Sequence, residues 1–237
     1  MTATAARGDA PVVIGRDLSR TYGRGTTSVV AVHGASCQVF AGQQIALVGP
    51  SGSGKSTLLH LLAGLDLPTT GEVAWPGLGG PPAALPAGTL GLVFQGPSLL
   101  PDLSIAENVA LPLILAGTGG NDAADRATAL LAELDLEQLG PKLPEEISGG
   151  QAQRVAVARA LIGQPRLILA DEPTGQLDHA SAATVIALLI GRAQRLGAAL
   201  IVSTHDAAIA AQLATCWTMS DGRPMTEEDR LRPGDHR

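Results

Sequence analysis

The sequence predicts an α/β fold, a mostly parallel sheet covered by helices on both faces, with a helical subdomain inserted into it. Three observations carry this expectation. Short apolar runs of strand length alternate with longer segments of helical periodicity. One such run, residues 43–48, passes straight into a glycine-rich loop and then a helix. Residues from about Pro97 to Gln164 are poor in strand-like runs, whereas both flanks contain them.

Taken in order, residues 1–11 lack an apolar run and read as a disordered leader without a signal peptide. Residues 12–19 and 29–40 read as strands, split by the turn-rich 22–27 and closed by Ala41-Gly42. The short strand at 43–48 leads through the glycines to a helix at 56–65. Residues 76–88 are rich in Pro and Gly and read as loop, and 90–94 is another apolar strand. Ser104 and Glu107 have capping-box spacing ahead of a helix at 109–115, which the glycines of 117–121 break. Helical periodicity resumes over 122–136, with Ala127, Leu130, Leu131 and Leu134 on one face. Ser148 stands at the N-cap position of a helix that runs to about Ile162. Residues 167–170 form a fully apolar strand, 181–196 a helix and 199–203 a second buried strand. Residues 226–237 are too few to fold alone and read as a tail.

Composition narrows the function. A net charge of −6 argues against a broad basic surface for nucleic acid. The best apolar stretch, 182–190, falls short of the ~18–20 residues that span a bilayer, so any membrane role is expected to come through a partner. Cys37 and Cys216 lie far apart with no CxxC pattern, and read as buried thiols of a reducing compartment. Basic residues comprise fourteen Arg and two Lys, as a GC-rich genome would give, and one of those lysines is Lys55 in the glycine-rich loop.

That loop, Gly49-Pro50-Ser51-Gly52-Ser53-Gly54-Lys55-Ser56, followed by Thr57, fits G-x-x-x-x-G-K-[ST]. Glycines let backbone N–H groups turn inward around a triphosphate, and the following helix offers its positive end. Lys55 can reach the β and γ phosphates, and the Ser56 hydroxyl can hold Mg²⁺. A plain glycine turn competes with this reading, but the motif's required strand-before, helix-after context is present. Downstream, the apolar strand at 167–170 ends in Asp171 and Glu172. At the C-terminal edge of such a strand Asp171 can bind Mg²⁺, and Glu172 can act as general base toward water. A surface acid pair is the competing reading, weakened by the loop upstream. Ser148, Gly149, Gly150 and Gln151 make a second anion cradle at a helix start. Two cradles separated by a helical segment suggest that each chain completes another's site.

With these motifs in order, the sequence resembles an ABC transporter nucleotide-binding domain over about residues 12–225. Residues 49–57 are similar to its Walker A loop, Gln95 to its Q-loop glutamine and 147–151 to its signature. Residues 167–172 resemble Walker B, 175–178 the D-loop, and His205 within Ser203-Thr204-His205-Asp206 the switch histidine. Tyr22, the only tyrosine, falls where the family places an aromatic that stacks on adenine.

The resemblance implies a P-loop NTPase (RecA-like) core at 12–96 and 165–225, an N-terminal antiparallel β subdomain, and a helical subdomain at 97–164. It implies an ATPase that uses ATP and Mg²⁺ and works as a head-to-tail homodimer. Lys55 and Ser56 of one subunit would share each ATP with Ser148 and Gly150 of the other. Glu172, His205 and Lys55 would be catalytic, Ser56, Gln95 and Asp171 would face the metal, and Asp178 would line the site from the D-loop. An integral membrane permease would dock near residues 95–113, from Gln95 to Leu113, placing the chain peripherally on the cytoplasmic face of the plasma (inner) membrane. A lone His or Gln is more often structural, and motif order is what favours His205 and Gln95. His33, His60, His179 and His236 have no such support and read as structural or solvent-exposed.

Asp171-Glu172-Pro173-Thr174-Gly175-Gln176-Leu177-Asp178 and the run 98–112 look like those of the macrolide, lipoprotein and cell-division (MacB, LolD and FtsE) exporter group. Export or lipoprotein, peptide or drug handling is the implied role. The alternative is an FtsE-like ATPase that signals through a membrane partner to a cell-wall enzyme without transport. A soluble ATPase of DNA repair or translation is a third class, and it usually carries a coiled coil or tandem cassettes that this chain lacks.

Overall fold

Strands that are apolar at successive positions end up buried on both faces, and here they build the centre of the molecule. The computed structural model describes residues 10–225; most of the leader, the tail at 226–237 and His236 lie outside the described residues. In chain order come β1 (Val13–Tyr22), β2 (Val29–Val39), β3 (Gln44–Val48), α1 (Lys55–Leu62), β4 (Thr70–Ala74) and β5 (Leu90–Val93). Then follow α2 (Ile105–Leu115), α3 (Gly120–Glu133), α4 (Gly149–Leu161), β6 (Leu167–Asp171) and α5 (His179–Leu196). The described part closes with β7 (Ala199–Thr204), α6 (Ala207–Ala210), β8 (Thr215–Ser220) and β9 (Arg223–Met225).

The main sheet has the order β5-β6-β7-β3-β8-β9, parallel except for β9, which returns antiparallel along β8. Alternate residues supply its two faces. Leu167, Leu169, Ala199 and Ile201 point into a core shared with α1 and the N-terminal sheet. Ile168, Ala170, Leu200 and Val202 pack beneath α4 and α5. The smaller antiparallel sheet, β2-β1-β4, lies over α1. A third apolar cluster joins α2, α3 and one face of α4 through Ile105, Val109, Ala127, Leu131 and Val155.

Several boundaries differ from the sequence expectation. β1 runs on to Tyr22 rather than ending at 19, because Thr21 and Tyr22 keep pairing with Val30 and Val29. α1 stops at Leu62, where Gly64 takes φ +68° and the Leu65 N–H returns to the His60 carbonyl. α3 ends at Glu133; Leu134 and Leu136 still pack on the helical cluster, from a turn. Ser104 and Ser148 both close complete capping boxes, with Glu107 and Gln151. β4, β8 and β9 are additions to the strands expected. Cys37 is buried on β2, but Cys216 is only half-buried on β8.

Candidate functional site

The order β6-β7-β3 brings three strand ends together. Ser203 on β7 stands in register with both Asp171 on β6 and Leu47 on β3. The glycine-rich loop, the two acids and His205 therefore emerge side by side at the C-terminal edge of the sheet, where ligands of open α/β sheets bind.

The loop's path depends on two glycines. Gly54 has φ +99°, and a Cβ there would lie 2.0 Å from the Ala31 carbonyl oxygen. A Cβ on Gly49 would lie 2.2 Å from the Met219 carbonyl oxygen. Lys55 opens α1 and is 5% exposed. Its Nζ donates to the carbonyls of Gly49 at 2.9 Å and Pro50 at 3.1 Å, and lies 3.6 Å from Glu172 Oε1. The ammonium is thus already folded back over the cradle. Ser51 and Gly52 are exposed at the loop tip and Thr57 is half-buried in α1. The Ser53 hydroxyl is buried with no hydrogen-bond partner among the described residues.

Asp171 and Glu172 are held by Ser203, which is fully buried. The Ser203 hydroxyl donates to Asp171 Oδ1 at 2.6 Å and accepts from the Glu172 N–H at 2.9 Å. Glu172 adopts φ +41°, a left-handed conformation unusual for a residue with a side chain. That bend carries its carboxylate to within 3.2 Å of His205 Nδ1. The His205 side chain is 65% exposed, so the imidazole is accessible at the rim. Ser56 is exposed on the first turn of α1. Among the described residues no three His, Cys, Asp or Glu form a metal cage. Mg²⁺ commonly uses one or two protein oxygens together with phosphates and waters, and the Ser56 hydroxyl and the oriented Asp171 carboxylate suit that mode.

Gln95 follows β5 and is exposed. A Cβ at Gly175 would lie 3.4 Å from both Gln95 Nε2 and Glu172 Oε2, so these two side chains flank one point beside the acid. Two residues that motif reading misses fix the Gln95 segment. Buried Gln153 donates to the Phe94 carbonyl at 3.0 Å, and Arg159 donates to the carbonyls of Ser98 at 2.9 Å and Pro97 at 3.1 Å. Burial lowers the Arg159 pKa from its ordinary value.

The second cradle does not join the first. Ser148 caps α4, whose neighbours are α2, α3, α5 and β5. Ser148 and Gly149 are exposed, and nothing lies within 4 Å of a Cβ placed on Gly149. Asp178 caps α5 rather than standing free. Its carboxylate accepts from the N–H groups of Ala180 and Ser181 and from the Ser181 hydroxyl, and the Ser181 bonds hold its pKa below the usual range. Tyr22 is 39% exposed, with its hydroxyl donating to Asp66 at 2.7 Å.

A lysine-bearing glycine cradle facing strand-end acids on a parallel sheet is the architecture of the P-loop nucleoside triphosphatases. Comparison with known proteins narrows that class. Residues 32–175 match the ABC transporter family model. The chain is 40% identical over 217 residues to the lipoprotein-releasing system ATP-binding protein LolD of Legionella pneumophila (strain Paris), covering 89% of this chain and 96% of that protein. The strain Lens protein matches to the same extent. The ATP-binding cassette MJ0796, solved as a post-hydrolysis dimer bound to ADP and Pi, superposes with a TM-score of 0.81 at 33% identity, covering 94% of this chain and 100% of that one. CbiO1 from Clostridium perfringens, part of the ABC transporter complex CbiONQ, gives a TM-score of 0.77 at 25% identity, covering 94% of each chain. The chain belongs to the ABC transporter family and is an ATP-binding cassette ATPase. No helix among its described residues is long and apolar enough to cross a membrane.

Proposed function

We propose that this chain hydrolyses ATP between two copies of itself and so drives a separate membrane permease, in a lipoprotein-releasing or related export system. The convergence of Lys55, Glu172 and His205 at one sheet edge carries the reading. Lys55 exchanges the Gly49 and Pro50 carbonyls for β and γ phosphate oxygens, while residues 49–57 surround the phosphates with N–H donors. Glu172, aimed by Ser203 and its bent backbone, takes the proton of the attacking water. His205 donates to the γ-phosphate from the rim, and Tyr22 stacks on the base. Ser56, Asp171 and Gln95 would hold Mg²⁺, which would supply positive charge opposite the phosphates.

Ser148, Gly149, Gly150 and Gln151 close the partner copy's site, since within one chain they sit on a different layer from Lys55. The dimeric form of MJ0796 supports this arrangement. The division into a core of 12–96 and 165–225 and a helical subdomain of 97–164 belongs to the same reading, and is supported by the separate apolar cluster of α2, α3 and α4. Residues 95–113 and the adjoining end of α2 serve as the permease-docking surface. Leu100, Ile114 and Leu115 are exposed there. The extensive match to LolD favours lipoprotein release over signalling without transport.

Glu172→Gln tests the central assignment. ATP binding persists, hydrolysis falls at least about 100-fold, and ATP shifts the variant to a dimer on size exclusion. Wild-type turnover in that variant removes Glu172 from the mechanism.

A further inference from the structure

Tyr22 ends a strand at the surface, where a phenol ring ordinarily turns through several rotamers. Here it is clasped. The Arg20 guanidinium carbon lies 4.6 Å from the ring centroid, covering one face. Asp66, on the turn after α1, ties both residues together. Its Oδ2 accepts from Arg20 Nε at 2.8 Å and from the Tyr22 hydroxyl at 2.7 Å. Its Oδ1 lies 2.8 Å from Arg20 Nη2 and accepts from the Leu67 N–H at 2.8 Å. The turn is itself fixed to β1, because the Thr69 N–H donates to the Ser19 carbonyl and the Thr21 N–H donates to Thr69 Oγ1. Partial burial opposes the Asp66 charge, but the Tyr22 hydroxyl, the Leu67 N–H and Arg20 outweigh it and hold the carboxyl below its usual range.

We propose that Arg20 and Asp66 are positioning residues for the nucleotide base, locking the Tyr22 ring so that its uncovered face is presented for stacking. This rests on the reading of Tyr22 as the base-stacking residue. The cation on the far face adds a second effect. It draws on the ring's π-electrons from one side, which favours an electron-rich purine on the other. The ring is then ordered before the nucleotide arrives, so less freedom is lost on binding.

Tyr22 is the only tyrosine, so protein grown on 3-fluorotyrosine reports this ring in a single fluorine resonance. Asp66→Asn and Arg20→Met are expected to move or broaden that resonance before nucleotide is added. They are expected to raise KM for ATP about five- to tenfold while kcat changes little. Binding of inorganic triphosphate, which has no base, stays at the wild-type level. Arg20→Lys, which keeps the charge but not the fork, recovers part of the loss. Loss of affinity for ATP and triphosphate alike means general damage and overturns the proposal. Tyr22→Ala separates the two readings. If it leaves KM unchanged, the base-stacking assignment itself fails. If it raises KM while Asp66→Asn and Arg20→Met do not, only the clasp is overturned.

Discussion

Ser203 shows how much one buried hydroxyl can organise. It joins the side chain of Asp171 to the backbone of Glu172, and so sets both the metal-facing and the water-facing acid of the proposed mechanism. The left-handed φ of Glu172 persists because its N–H has this partner and Gly175 closes the next turn onto its carbonyl. Such a backbone costs about 1–3 kcal/mol and survives only where its surroundings over-determine it. Ser203→Ala removes the partner of a half-buried Asp171 carboxylate oxygen and of the Glu172 N–H. A stability loss of about 1–3 kcal/mol is expected in thermal unfolding, with a fall in kcat exceeding any rise in KM. Ser203 was within reach of sequence reasoning, as a polar residue ending an otherwise apolar run two positions before His205. Its two partners lie about thirty positions away and could not be read.

At the scale of elements, α4 performs two tasks. Its start is the Ser148 cradle, and its buried side grips the chain on either side of Gln95 through Gln153 and Arg159. The proposed partner-facing segment is thereby fastened to the helix whose start is proposed to close the other copy's site. Gln153→Leu leaves the Phe94 carbonyl short of its donor. Reconstituted with the proposed permease partner, that variant is expected to keep basal ATPase within about twofold and to lose most partner stimulation. Equal loss of both rates would reduce Gln153 to a packing role. Local signals gave α4 in advance and also the existence of α2, which starts at Ile105 rather than 109 because the Ser104–Glu107 capping box itself opens the helix. β4 is the opposite case. Thr70-Gly71-Glu72 has little apolar content, and only its pairing with β1, from Ala74 opposite Ile14 to Thr70 opposite Ser19, makes it a strand. β8 and β9 had a readable sign in Asp221-Gly222, whose positive φ values of 48° and 75° make the tight hairpin turn between them.

Across the whole molecule, distant segments share the support of the phosphate loop. The Ala31 carbonyl on β2 lies under Gly54 and also 3.0 Å from a Cβ placed on Gly222. The Gly222 N–H donates to the Ser53 carbonyl at 3.1 Å, and its own carbonyl accepts from the His33 N–H at 2.8 Å. Gly54→Ala sets a methyl group against backbone that cannot swing aside, at a φ that a side chain resists. It is expected to abolish nucleotide binding and lower the unfolding midpoint, as titration with ATP and calorimetry would show.

The same junction orders events during synthesis. β2 and the loop leave the ribosome early, yet Gly222 is translated more than 160 positions after Ser53. A nascent chain therefore has its cradle written but unbraced until β8 and the turn beyond it have emerged. The bracing of the loop at Ser53 is complete only when the last described strands arrive.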